Sequence, residues 1–215
     1  MRKKTLLIFS VALISLLALM TGAVSMSADD YDYYYAYAEY PSAKAGVSGS
    51  NYVYDNDVSS YHVAEFVNVN LSLDPHKWIE VGWTKHEGWN KPKFYVGYNI
   101  DETGFHPEYL EDAEYNTRHS YKIYEPGNTW RVYIDGDQVE YFTGLQWSEG
   151  DIQAVSESCD SASPPENQLS GYFQQLKYYS PGSDWLMWDD MDPHADPGFH
   201  ITEISPHRFI PVAFL

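Results

Sequence analysis

From about residue 51 onward, apolar and polar side chains alternate with period two. The alternating runs are short and are separated by clusters of Gly, Pro, Asn and Asp. Alternation is the mark of extended strands, because successive side chains of a strand leave opposite faces. Tyr61, Val63, Val67, Val69, Leu71 and Leu73 fall on one face. Ile79, Val81 and Trp83 alternate with Trp78, Glu80 and Gly82, and Phe94, Val96 and Tyr98 alternate with Tyr95 and Gly97. Further strand runs cover 119–124, 129–134, 138–142, 151–158, 170–179, 198–204 and 208–213. Asp135-Gly136 between two of them signals a tight hairpin. One weak helical stretch, Pro107–Tyr115, reads as a loop turn. About ten short strands without a helical repeat predict an all-β fold, a two-sheet antiparallel β-sandwich. A concanavalin-like jelly roll is the first choice, with one concave sheet whose outward face carries the site.

The beginning of the chain reads differently. Arg2-Lys3-Lys4 precedes an apolar run from Leu6 to Met20, and small residues follow. That order predicts a bacterial-type secretory signal peptide at 1–27, with cleavage after Ser25 or Ser27. An uncleaved anchor is the rival reading. Residues 28–50 are an Asp- and Tyr-rich lead-in, or alternatively a strand added to a sheet edge, and 51–215 form the sandwich. The expected location is extracellular, with no membrane association after cleavage. Thirteen Lys and Arg stand against 31 Asp and Glu, a net charge of -18. Three of those basic residues lie in the leader, so the exported chain is more acidic still. Such a charge excludes nucleic acid as a partner. Aromatic residues at 17% exclude a disordered acidic protein. The single Cys159 excludes an intrachain disulfide and a cysteine-cluster metal site. A monomer without cofactor or metal is expected.

Two carboxylates stand out. Glu80 shares its face with Trp78 and Gly82, and an aromatic ring beside a carboxyl raises its pKa by desolvation. Glu157 shares a face with Gln153 and Val155. Either alone is also a plain solvated side chain on an outer face. Together on one concave face they form a pair in which one activates water and the other, protonated, stabilises an oxyanion. Trp78, Tyr95 and Gln153 are candidate substrate-binding neighbours. The carboxylates of Asp184–Asp196 read as a solvated acidic loop, with Ca²⁺ binding as the alternative. Cys159 has no obvious His partner in the sequence. The competing function is polysaccharide binding without catalysis, with Trp78, Tyr95, Tyr133, Trp147 and Tyr172 available to stack on sugar rings.

Several segments, in order over about residues 60–180, carry a family resemblance. Trp78-Ile-Glu-Val-Gly-Trp-Thr followed by Lys93-Phe-Tyr-Val-Gly-Tyr resembles the first catalytic strand pair of neprosin-like glutamic peptidases. Asn128-Thr-Trp-Arg-Val-Tyr-Ile-Asp-Gly, Val139-Glu-Tyr-Phe-Thr-Gly-Leu-Gln-Trp147 and Asn167-Gln-Leu-Ser-Gly-Tyr-Phe resemble later segments of that family. Ala154-Val-Ser-Glu-Ser falls where the family carries its second catalytic Glu. The resemblance implies a secreted acid endopeptidase acting on polypeptides, with Glu80 and Glu157 as the dyad. Related fungal-type glutamic peptidases use a Gln and a Glu on comparable strands.

Overall fold

The computed structural model describes residues 32–73, 76–101, 103–161 and 165–213. The proposed leader at 1–27 lies outside them. The described residues belong to one unit, Tyr31–Leu215.

The alternation read from the sequence closes into two antiparallel sheets. The first has the order β13 (Asp192–Ala195), β1 (Asp32–Glu39), β10 (Asp151–Asp160), β3 (His62–Leu73), β4 (His76–His86), β5 (Lys93–Asn99) and β6 (His106–Asp112). The second has the order β14 (Phe199–Ser205), β15 (Arg208–Ala213), β11 (Phe173–Tyr178), β2 (Gly46–Val53), β7 (Thr117–Tyr124), β8 (Thr129–Ile134) and β9 (Asp137–Thr143), with β12 (Leu186–Met187) beside β11. This is the all-β sandwich of the jelly-roll kind that the alternation predicts. The β8–β9 hairpin turns on Asp135 and Gly136, whose φ angles of 51° and 93° are the paired positive values of a type I′ turn.

The core lies between the sheets. Val63, Val67, Val69, Ile79, Val81 and Trp83 from the first sheet meet Val47, Tyr121, Ile123, Trp130, Val132 and Phe173 from the second. One carboxylate is buried among them. Glu65 is wholly buried, flanked in register by Ser156 on one side and Trp83 on the other. Burial pushes its carboxyl well above the usual range, while Trp83 and Ser156 pull in the opposite direction.

Two expectations are corrected. Residues within the 28–50 lead-in form β1 and most of β2, one strand in each sheet. Tyr34, Ala36, Ala38 and Tyr40 enter the core, while Tyr33, Tyr35 and Tyr37 face the other way. Both faces of β1 carry tyrosine, so its alternation does not show in the sequence. The added-strand alternative fits better, although β13 covers the outer edge of β1. The stretch Pro107–Tyr115, read as a helical turn, lies mostly in β6. It pairs with β5 and is mostly exposed, so it has little burial pattern to reveal it. A chain starting at Pro41 is expected to lose cooperative thermal unfolding by circular dichroism, because β10 and the core lose a covering strand. A melt as sharp as that of the full chain would contradict the integral role of β1.

Candidate active site

The outward face of the first sheet is built from cross-strand rows. One row runs Glu39–Gln153–Asn68–Glu80–Gly97, and the next runs Tyr37–Val155–Phe66–Gly82–Tyr95. The third runs Tyr35–Glu157–Ala64–Thr84, and the fourth Tyr33–Cys159–His62–His86. These rows line an open cavity of about 700 Å³. Glu80, Glu157, Trp78, Tyr95 and Gln153 all lie on its wall. The five sequence-derived site residues are thus brought to one cleft. Glu80 and Glu157 share the face but stand diagonally, two strands and two rows apart. The residue in register with Glu80, across Asn68, is Gln153.

Glu80 is only 8% exposed. Trp78 Nε1 donates to its Oε2 at 3.1 Å. The room for its carboxyl is made by Gly97 on β5, where a Cβ would lie 2.5 Å from Glu80 Oε1. The sequence places Gly82 on this face as well. Gly82 instead allows close approach of the β3 backbone, as the overlap of a Cβ there with the Glu65 carbonyl oxygen shows. Burial first, and the neighbouring Glu157 second, push the Glu80 carboxyl up to about 8, against the opposing hydrogen bonds of Tyr95 and Trp78. Glu80 therefore holds a proton at neutral pH.

Glu157 sits in a more polar setting. His62 Nε2 lies 2.7 Å from its Oε1. Tyr35, in register beside it, hydrogen-bonds it through a hydroxyl whose pKa is raised by burial and then by Glu157 itself. The buried Tyr95 hydroxyl is likewise raised, by burial and then by Glu80. Both phenols remain neutral donors over the physiological range. Gln153 is anchored, its Nε2 donating to Glu39 Oε2 at 2.7 Å.

Cys159 does have a histidine neighbour, since His62 faces it across the ladder. Burial, then Glu157, push its thiol up to about 12, so it is no thiolate nucleophile. His62, Asn68 and Tyr35 were missed as site residues. The even-numbered positions of β3 oppose the Val63–Val67–Val69 core face, and that parity alone would have placed His62 and Asn68 here. Tyr35 had no such signal. Of the other stacking candidates, Tyr133 lies under Lys122 Nζ at 4.1 Å on the second sheet. Trp147 packs against the core, and Tyr172 stacks on Tyr52 with centroids 6.5 Å apart. None of the three lines the cleft. In the 184–196 segment, Asp189 accepts from the Tyr40 hydroxyl at 2.7 Å and Asp196 from the Tyr35 amide at 2.8 Å.

The class defined here is a two-sheet antiparallel β-sandwich of the jelly-roll kind, with a cleft on the outward face of one sheet. No family model and no curated protein matches the sequence. Among solved structures, Scytalido-glutamic peptidase with a peptide-based transition state analogue is similar, at 10% identity and a TM-score of 0.64, covering 86% of this chain and 99% of that one. SCP-B, a member of the Eqolisin family of peptidases in complex with the tripeptide Ala-Ile-His, is similar at 9% identity and a TM-score of 0.60, over 86% of this chain and 99% of that one. At such identities the likeness is one of fold.

Proposed function

We propose that this chain is an extracellular endopeptidase of the glutamic type, exported through the leader at 1–27. One observation carries the reading: two carboxyl groups share a cleft face in unequal surroundings, one buried and protonated, the other hydrogen-bonded by an imidazole. The fold likeness to glutamic peptidases supports it. Glu157 accepts a proton from the attacking water as its oxygen adds to the peptide carbonyl, and passes that proton to the leaving amine as the C–N bond breaks. Glu80 lends its proton to the developing oxyanion and recovers it as the carbonyl re-forms, so both groups return to their starting states. Asn68 beside Glu80, and Gln153 beyond it in the same row, offer amide groups to the substrate backbone. Because Gln153 stands in register with Glu80, it also provides a second reading, a carboxyl–amide pair like the Gln and Glu of the related fungal-type glutamic peptidases.

The test is cleavage of an unfolded protein such as denatured casein between about pH 3 and 9. The wild type should cleave and the Glu80→Gln/Glu157→Gln double variant should not. Absence of wild-type cleavage across the range, or an active double variant, would overturn the reading. Gln153→Ala as damaging as Glu157→Gln would favour the carboxyl–amide pair. On the basic side, activity should fall as pH rises through about 8, where Glu80 loses its proton. In the Glu157→Gln variant that limb should move down, because the like charge that helps raise Glu80 is gone. Rates measured against pH check both statements.

A further inference from the structure

The fourth row of the cleft face holds an imidazole in contact with a proposed catalytic carboxylate. His62 Nε2 and Glu157 Oε1 are 2.7 Å apart. A carboxylate only accepts, so Nε2 must carry hydrogen. The other ring nitrogen, Nδ1, is buried without a hydrogen-bond partner. The ring is clamped on several sides. His86 stacks on it with centroids 5.0 Å apart and planes at 26°. Tyr61 lies at 5.0 Å and Tyr33 edge-on at 6.2 Å. The backbone is tied down as well, because the buried Asn167 Nδ2 donates to the His62 carbonyl at 3.3 Å and to the Ser60 carbonyl at 2.7 Å.

We propose that His62 is a positioning residue of this site: its Nε2–H fixes the orientation of the Glu157 carboxylate towards the attacking water. The inference rests on the peptidase reading. Around the pair stand Tyr33 and Tyr35 from β1, Cys159 from β10, His86 from β4 and Tyr109 from β6, with Glu80 and Tyr95 further along the cleft. Among the described residues no Lys or Arg lines the cavity, whose basic groups are His62, His86 and His76. His76 packs against Trp78, with centroids 4.8 Å apart. His86 is pushed down to about 4, by burial and then by His62, so it stays neutral over most of the working range. His62 is thus the basic group that touches either carboxylate.

The experiment compares His62→Phe, His62→Gln and His62→Asn with wild type. Gln places an N–H near the position of Nε2, whereas Phe supplies only a ring and Asn is too short to reach. In His62→Phe, kcat should fall at least tenfold with KM little changed. His62→Gln should restore most of kcat, whereas His62→Asn should not. If Phe does not fold, the Gln and Asn variants carry the comparison. A readout independent of catalysis is the ¹⁵N spectrum of the imidazole. Nε2–H with a strong hydrogen bond is expected in wild type, weakened in Glu157→Ala. Equal rates in all variants, a loss of the same size in the Phe, Gln and Asn variants, or a ¹⁵N signature indifferent to Glu157→Ala would overturn the proposal. If the ¹⁵N signature behaves as expected while no variant or wild type cleaves peptide, the peptidase reading fails and the His62–Glu157 pairing stands.

Discussion

Glu80→Gln is expected to lose about 10²–10⁴ of the cleavage rate, the usual worth of a positioned proton donor, while the folded protein becomes more stable. The two effects have one cause. The carboxyl is buried beside Trp78, Tyr95 and Gly97, and its pKa is raised from 4.5 to about 8. An acid with a raised folded-state pKa contributes its full stability below the unfolded value, where both states are protonated. Between 4.5 and about 8 the unfolded chain ionises while the folded one does not, so stability drains away as pH rises. Above that the loss is complete. Gln keeps the shape and the acceptor for Trp78 but never ionises. The variant's advantage should therefore be small at pH 4 and reach about 4–5 kcal/mol by pH 8, following the shift at about 1.4 kcal/mol per unit. Paired measurement of kcat and of denaturant midpoints across pH checks this. A variant that loses activity and stability together would show that Glu80 matters for structure rather than chemistry.

Gly82→Ala should be among the most damaging single substitutions. A Cβ there would overlap the Glu65 carbonyl oxygen and lie 2.6 Å from Phe66 Cα and 2.7 Å from Phe66 Cβ. Those are main-chain atoms and a Cβ of the central strand β3, and they cannot rotate away. The sheet must separate at the row Phe66–Gly82–Tyr95, the row between the two carboxylates. A cost of about 3 kcal/mol or more is expected, the upper end for overpacking. Gly136→Ala is the contrasting case. Its Cβ meets nothing within 4 Å, and only the positive φ of 93° opposes it. About 1 kcal/mol is expected there. Thermal unfolding of both variants checks the order, and equal losses would refute it.

The period-two pattern made the sandwich legible because most strands have one apolar and one mixed face. It also located Glu80, since Ile79, Val81 and Trp83 fix which way that strand faces. β1 was hidden because Tyr33, Tyr35 and Tyr37 on one face oppose Tyr34 and Tyr40 on the other. Register was illegible for a different reason. That Gln153 rather than Glu157 aligns with Glu80 depends on how β10 meets β3, strands far apart in the chain. Nothing local encodes that offset. His62 was available by parity, but its partner lies on a strand whose pairing the sequence does not state.

The position of β1 between β10 and β13 has a kinetic consequence. Tyr35 pairs with Glu157 and Tyr37 with His194, partners more than a hundred residues further along the chain. Pairings of such long range form late, after the entropy of closing large loops has been met. The cleft wall nearest Glu157 therefore depends on some of the longest-range pairings in the fold. On the peptidase reading, a chain in which β1 has not yet docked has the carboxylates but not the walled cleft, and is expected to be inert towards its own unfolded neighbours.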